Sequence, residues 1–284
     1  MLDILRMDLF RMRKMRAFFV TLIVASLLMA ISTFTEKLMR DAYKKLIEED
    51  GDTAAVQELE EDEDAEALLN EDPEVEDMSK PYVDQIYASY ISGMFPALMI
   101  VIFTVLFVNA DHVSGFIKSI GGQVRHRWHI VVSKIICILL YTLIMLLFLL
   151  CLQTVLNLVF FGEVSFNDTG KLITYIMLGF LMNGAFAMMA AAITIFTRSN
   201  LIGLLVSILD ALGMFNLIAM LVNLLLGKAD IKFDLNKYML SYCINQVHYG
   251  STFSSASHEL IVAGCFFAVC MAGSLFIFKK KDIA

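Results

Sequence analysis

The sequence predicts an all-α polytopic membrane protein: six transmembrane helices behind an N-terminal interfacial helix, with both termini in the cytoplasm. Three observations predict it. Hydrophobic residues make up 58% of the 284 residues and mean hydropathy is +0.71, more than an ordinary globular domain carries. Six apolar stretches approach the roughly 20 helical residues that cross a bilayer core about 30 Å thick. Lys and Arg gather on alternate connecting segments, as cytoplasmic loops do.

The elements follow in order. Residues 1–16 place Leu2, Leu5, Leu9 and Met12 at helical spacing, with Arg6 and Arg13 on a neighbouring side. That pattern suits a short helix lying in the inner interface; a plain basic tail that sets topology is the alternative. The transmembrane domain, 17–284, has spans at about Ala17 to Phe34, Ala88 to Ala110, Ile135 to Phe161, Leu172 to Phe196, Leu201 to Leu225 and Leu260 to Phe278. The first follows a basic run as a secretory signal would, but it is longer than a signal core and five spans follow, so it reads as a retained helix. Glu36, Arg40 and Lys44, four apart, carry that helix on to about Glu49. Pro96, with Gly93 shortly before it, predicts a kink in span two.

Two outer loops are long. Residues 35–89 include a run of acids from Glu58 to Asp77 that repels itself and lacks core-forming residues, which predicts disorder or a frayed helix. Attraction of cationic peptides or divalent ions from outside is the functional alternative, although the D-x-D-x-D-G order of a calcium loop is absent. Residues 227–258 are too long for a passive connection and read as an extracellular cap.

Charge fixes the orientation. The inner segments 1–16, 111–134, 197–200 and 279–284 hold thirteen Lys and Arg against four acids, or +9. The outer segments carry −15, and Asp210 inside a span completes the net −7. A negative chain without a basic face excludes nucleic acid as a partner. The five cysteines form no CxxC pair or disulfide framework, and four of them lie in spans as small apolar groups.

Chemistry of its own is not expected of the chain, which reads as no enzyme by itself. His258-Glu259 begins a zinc-protease pattern, but Val262 stands where the second His belongs, and no Walker A loop is present. No metal ligands are predicted. The intramembrane polar candidates are Asp210, Asn216 and Asn183; a carboxylate at such depth is costly enough to mark a functional site. Asn183, Tyr141 and Gln153 are the candidate relay partners for Asp210, and a protonated Asp210 bonded across helices is the structural alternative.

The inner loop 111–134 is the most informative stretch. It mixes Val113, Phe116, Ile117 and Ile120 with charges, as a short helix pressed on a partner surface would. It carries Asp111, then Gly115-Phe116-Ile117-Lys118, then Arg127 twelve after the Gly, then Ser133-Lys134. At these residues the chain resembles the permease subunits of ATP-binding cassette (ABC) transporters of the bacterial type-2 exporter class. The resemblance extends to the amphipathic start, the six spans, the large first outer loop, the capped last one and the ending Phe278 to Ile283.

The resemblance implies a plasma-membrane permease that works as a homo- or heterodimer with two separate ABC ATPase subunits. ATP and magnesium would belong to those subunits, with no cofactor bound by this chain. Asp111, Gly115, Phe116, Ile117, Lys118, Arg127 and Lys134 would serve ATPase coupling, and an amphipathic, peptide-like or drug-like cargo would move outward. Two other readings remain at this point. One is an ion-coupled secondary carrier centred on Asp210, against which stands the lack of internal repeats or paired broken helices in the sequence. The other is a non-transporting peptide-sensing or immunity component that uses the acidic loop.

Overall fold

The computed structural model describes residues 2–49, 81–113, 128–228 and 234–280. The acidic run, the middle of the inner loop and the last four residues lie outside them. The elements are α1 (Leu2–Lys14), α2 (Arg16–Glu49), α3 (Val83–Ser92), α4 (Phe95–Val113), α5 (Trp128–Phe161), α6 (Thr169–Thr197), α7 (Asn200–Ala211), α8 (Met214–Lys228), a 3-10 turn at Leu235–Tyr238, α9 (Leu240–Gln246) and α10 (Ser257–Lys280). Among the described residues the only extended pairing is an isolated bridge between Tyr82 and Ser165.

Among the described residues four helices are long and apolar enough to cross a membrane: Arg16–Ala42 within α2, α5, α6, and Ser257–Ile277 within α10. The bent pairs α3/α4 and α7/α8 raise the number to as many as six if each pair is one crossing. The protein is therefore an all-α multi-pass membrane protein. α2 runs to Glu49, and Arg40 pairs with Glu36 at 3.2 Å. Its 34 residues span about 50 Å, well beyond a bilayer core.

The two bends have different local causes. α3 and α4 meet at 56°, just before Pro96. Pro96 has no amide hydrogen to donate one turn back and its ring crowds that carbonyl, so the α3 helix cannot continue through it. The chain turns at Gly93 and Met94, and Met94 takes a left-handed φ of 63° while its side chain stays buried. The second bend, 63° between α7 and α8, falls inside what the sequence presents as one unbroken span. Gly213 makes it with a φ of 75°, a conformation open to glycine at little cost, and its amide donates to the Asp210 carbonyl at 2.9 Å.

α6 is the hub on which α4, α5, α7 and α10 pack. Its buried face carries Gly179, Gly184, Ala185, Ala187, Ala190 and Ala191, small residues that let helix backbones approach where lipid offers no hydrophobic drive. α7 approaches through Gly203, where an added Cβ would overlap the Thr194 hydroxyl of α6 and lie 3.2 Å from Val105 of α4. Tyrosines satisfy their hydroxyls across helices: Tyr90 donates to the Ala25 carbonyl at 2.9 Å, Tyr87 to that of Leu146 at 3.1 Å, and Tyr141 lies 2.6 Å from Thr21 Oγ1.

Polar contacts gather at the two ends of the bundle. At one end, Asp8 of α1 meets Ser133 near the start of α5. At the other, Asn157 near the end of α5 donates to the Pro81 carbonyl at 2.7 Å, and the Val83 amide donates to that of Ser165 at 3.0 Å. The first end therefore holds α1 and the start of α5. The second holds the segments before α3 and after α5, which is the alternation that the charge pattern requires.

Candidate functional site

Of the coupling residues, Gly115, Phe116, Ile117, Lys118 and Arg127 lie outside the described residues, and only the helical backbone of Asp111 is described. Ser133 and Lys134 fall within α5, which begins at Trp128, and both are buried. Ser133 Oγ donates to Asp8 Oδ2 at 2.6 Å. Lys134 Nζ sits 4.8 Å from the centre of the Phe107 ring on α4, where the ring's negative face attracts an ammonium withdrawn from water. The Ser-Lys pair thus ties α1 and α4 to α5 inside the bundle. Beside it a cavity of about 200 Å³ is lined by Phe10, Arg11, Lys14, Met15, Phe107 and Ala110.

Asp210 is 4% exposed, on the buried face of α7 with Gly203 and Ser207. Its Oδ1 accepts from Ser241 Oγ at 2.8 Å, and the same hydroxyl lies 3.3 Å from Asn216 Oδ1. Ser241 belongs to α9, whose Leu240, Cys243 and Ile244 are also buried; the outer loop turns an apolar face inward and brings the serine with it. The candidate relay partners are engaged elsewhere. Asn183 donates to the Gly179 carbonyl at 2.8 Å, Tyr141 bonds Thr21, and Gln153 accepts from Thr33 at 3.0 Å and donates to Asn157 at 2.9 Å. Of the three intramembrane candidates, the structure brings Asp210 and Asn216 together through Ser241 and leaves Asn183 apart.

A third cluster stands at the outer end. Asp84, fully buried at the first turn of α3, accepts from the backbone amides of Asn167 and Asp168, each at 3.1 Å, and from the Tyr249 hydroxyl. Tyr249 also donates to the Asp168 carbonyl at 3.2 Å. Burial, then the Asp84 carboxylate, pushes the Tyr249 phenol well above its ordinary range, because both oppose a phenolate there. In α9, burial pushes the Cys243 thiol up to about 11, with the Glu259 carboxylate adding to the effect. Asp84 thus clasps three outer segments. The sequence placed it in the acidic outer loop; the signal that separates it from those acids is its apolar company, Val83 before it and Ile86-Tyr87 after.

Residues 74–284 match the family described as "Protein of unknown function (DUF2705)". The chain belongs to this family. No curated protein matches it. The DUF2705 region takes in the inner loop, Asp210 with its α9 partner, and the Asp84 clasp, while α1 and α2 precede it. Hydrogen bonds among the described residues join the preceding helices to the DUF2705 region: Asp8 with Ser133, Thr21 with Tyr141, Ala25 with Tyr90, and Thr33 with Gln153. The two parts therefore pack as one bundle.

Proposed function

We propose that this DUF2705 chain is the permease subunit of an ATP-driven ABC exporter in the plasma membrane. It would work as a dimer of permeases with two ATPase subunits and move an amphipathic, peptide-like or drug-like cargo outward. The observation that carries the reading is the 111–134 segment, with Asp111, Gly115, Ile117-Lys118, Arg127 and Ser133-Lys134 at the spacing of the ABC export permeases. The described residues around it support that role. The segment joins α4 to α5, and Lys134 against Phe107 and Ser133 against Asp8 link both helices and α1 at that end. A push on the loop by a rigid partner would then move three helices together, because packed interfaces switch between discrete arrangements.

The test is co-purification with an ABC ATPase encoded beside this chain. The wild-type chain is expected to retain the ATPase, and Gly115→Trp to lose it while still inserting in the membrane. ATPase retained at full occupancy by Gly115→Trp overturns the assignment.

An ion-coupled carrier gains one specific observation. The sequence shows no paired broken helices, whereas the structure has two bent pairs, one ending its first half beside Asp210. Broken helices frame ion sites in many secondary transporters. The chain reconstituted without any ATPase separates the readings, because only a carrier transports under that condition.

A further inference from the structure

We propose that Asp210 holds a proton that exchanges with the outer face by way of Ser241 and Asn216. Asp210 follows the start of α7 by ten residues, a rise of about 15 Å, so a span that enters the membrane at α7 carries the carboxyl into the bilayer core and well short of its far side. The elements packed against α7 bring few charged or titratable groups. They are Asp111 and His112 at the inner end of α4, Lys171 and Tyr175 on α6, Lys228 at the end of α8, and Tyr242 and Cys243 on α9. Among the described residues none of these pairs with Asp210, whose hydrogen-bonding partner is Ser241. An ionised carboxylate there would stand in the membrane with no countercharge among the described residues, the costlier of its two states.

Hydrogen bookkeeping points the same way. Ser241 has one hydrogen, and its Oγ lies between two accepting oxygens, Asp210 Oδ1 and Asn216 Oδ1. With Asp210 protonated, the acid donates to Ser241 and Ser241 donates to Asn216, so each contact has its hydrogen. Turning the Asn216 amide would restore the count for an ionised Asp210 but would leave the charge uncompensated. Asn216 is only partly buried and stands just past the Gly213 bend, which gives the chain of groups an exposed end. One turn inward, the fully buried Ser207 Oγ has no hydrogen-bonding partner among the described residues, so the polar face continues below Asp210. Loading moves a proton from outside water onto the Asp210 carboxylate, and unloading returns it to that water.

The inference deepens the carrier reading but rests on the site's own geometry; a proton bound without ATPase-free transport retires the carrier and leaves the site. The test is labelling of the purified full-length chain with dicyclohexylcarbodiimide, which modifies protonated carboxyls in apolar surroundings, mapped by mass spectrometry. Asp210 is expected to be the labelled intramembrane residue, with labelling falling about tenfold per pH unit above its midpoint. Asp210→Asn, whose amide can donate to Ser241 as the acid does, is expected to melt near the wild-type temperature and to lose the wild-type dependence of melting on pH attributable to this group. Failure of Asp210 to label at pH 6 overturns the proposal without any variant. Protection by sodium chloride but not choline chloride at fixed pH also overturns it, in favour of a sodium site.

Discussion

At the scale of single residues, the outer clasp shows how one side chain can hold several segments. Asp84 serves two backbone amides and a phenol; without it both amides lose this acceptor and the phenol keeps only the Asp168 carbonyl. Asp84→Ala is expected to cost about 2–5 kcal/mol, because it removes several hydrogen bonds to a charged acceptor that are each worth about 1.5–3 kcal/mol. Tyr249→Phe, which removes one donor and leaves the amides in place, is expected to cost about 1–3 kcal/mol. Thermal unfolding in detergent that ranks Tyr249→Phe above Asp84→Ala in cost would show that the clasp is misassigned. The phenol adds a pH sign. Its folded value is raised, so its contribution is whole below the ordinary tyrosine range near 10 and fades as pH climbs above it, because the unfolded chain ionises first. That alkaline loss is expected to shrink in Tyr249→Phe.

At the scale of elements, the close approach of α7 to α6 depends on Gly203. A Cβ there meets the hydroxyl of Thr194, which is itself fixed by a 2.8 Å bond to the Ala190 carbonyl. Gly203→Ala is expected to lift α7 from α6 and cost about 1–3 kcal/mol, the range for overpacking a filled interface. Thr194→Ala removes the colliding group, so the double variant is expected to recover much of the loss; additive costs would mean that the two helices do not meet here. The spans themselves were legible because lipid demands long apolar runs, and the bend at Pro96 because proline leaves a visible mark. The bend at Gly213 was not, since a lone glycine among Leu, Ala, Met and Phe looks like ordinary helix. Nor was the Asp210 partner. Ser241 is 31 positions away in an outer loop, and only the apolar pattern of Leu240, Cys243 and Ile244 hints that this loop turns inward.

At the scale of the whole molecule, charge and contact geometry make the same division. The +9 segments of the sequence include α1 and the start of α5, which the Asp8–Ser133 bond places at one end. The negative segments include residues near Asp84, Asn167 and Tyr249, which meet at the other. Positively charged flanks favour the cytoplasm, so the Asp84 end is expected to face outward. Single cysteines placed in a background lacking the five native ones read this directly, at four exposed positions: Arg13, Glu163, Arg198 and Ser254. A membrane-impermeant maleimide added to intact cells is expected to label Glu163→Cys and Ser254→Cys, and to reach Arg13→Cys and Arg198→Cys only after the membrane is opened. Arg198 carries the most weight, because it follows α6 and precedes the bent pair α7/α8. An inner Arg198 with an outer Ser254 requires that pair to complete one crossing rather than turn back. Labelling of both only after the membrane is opened would make α7/α8 a re-entrant hairpin, reduce the number of crossings, and reverse the sides of the membrane on which the two ends of α10 lie.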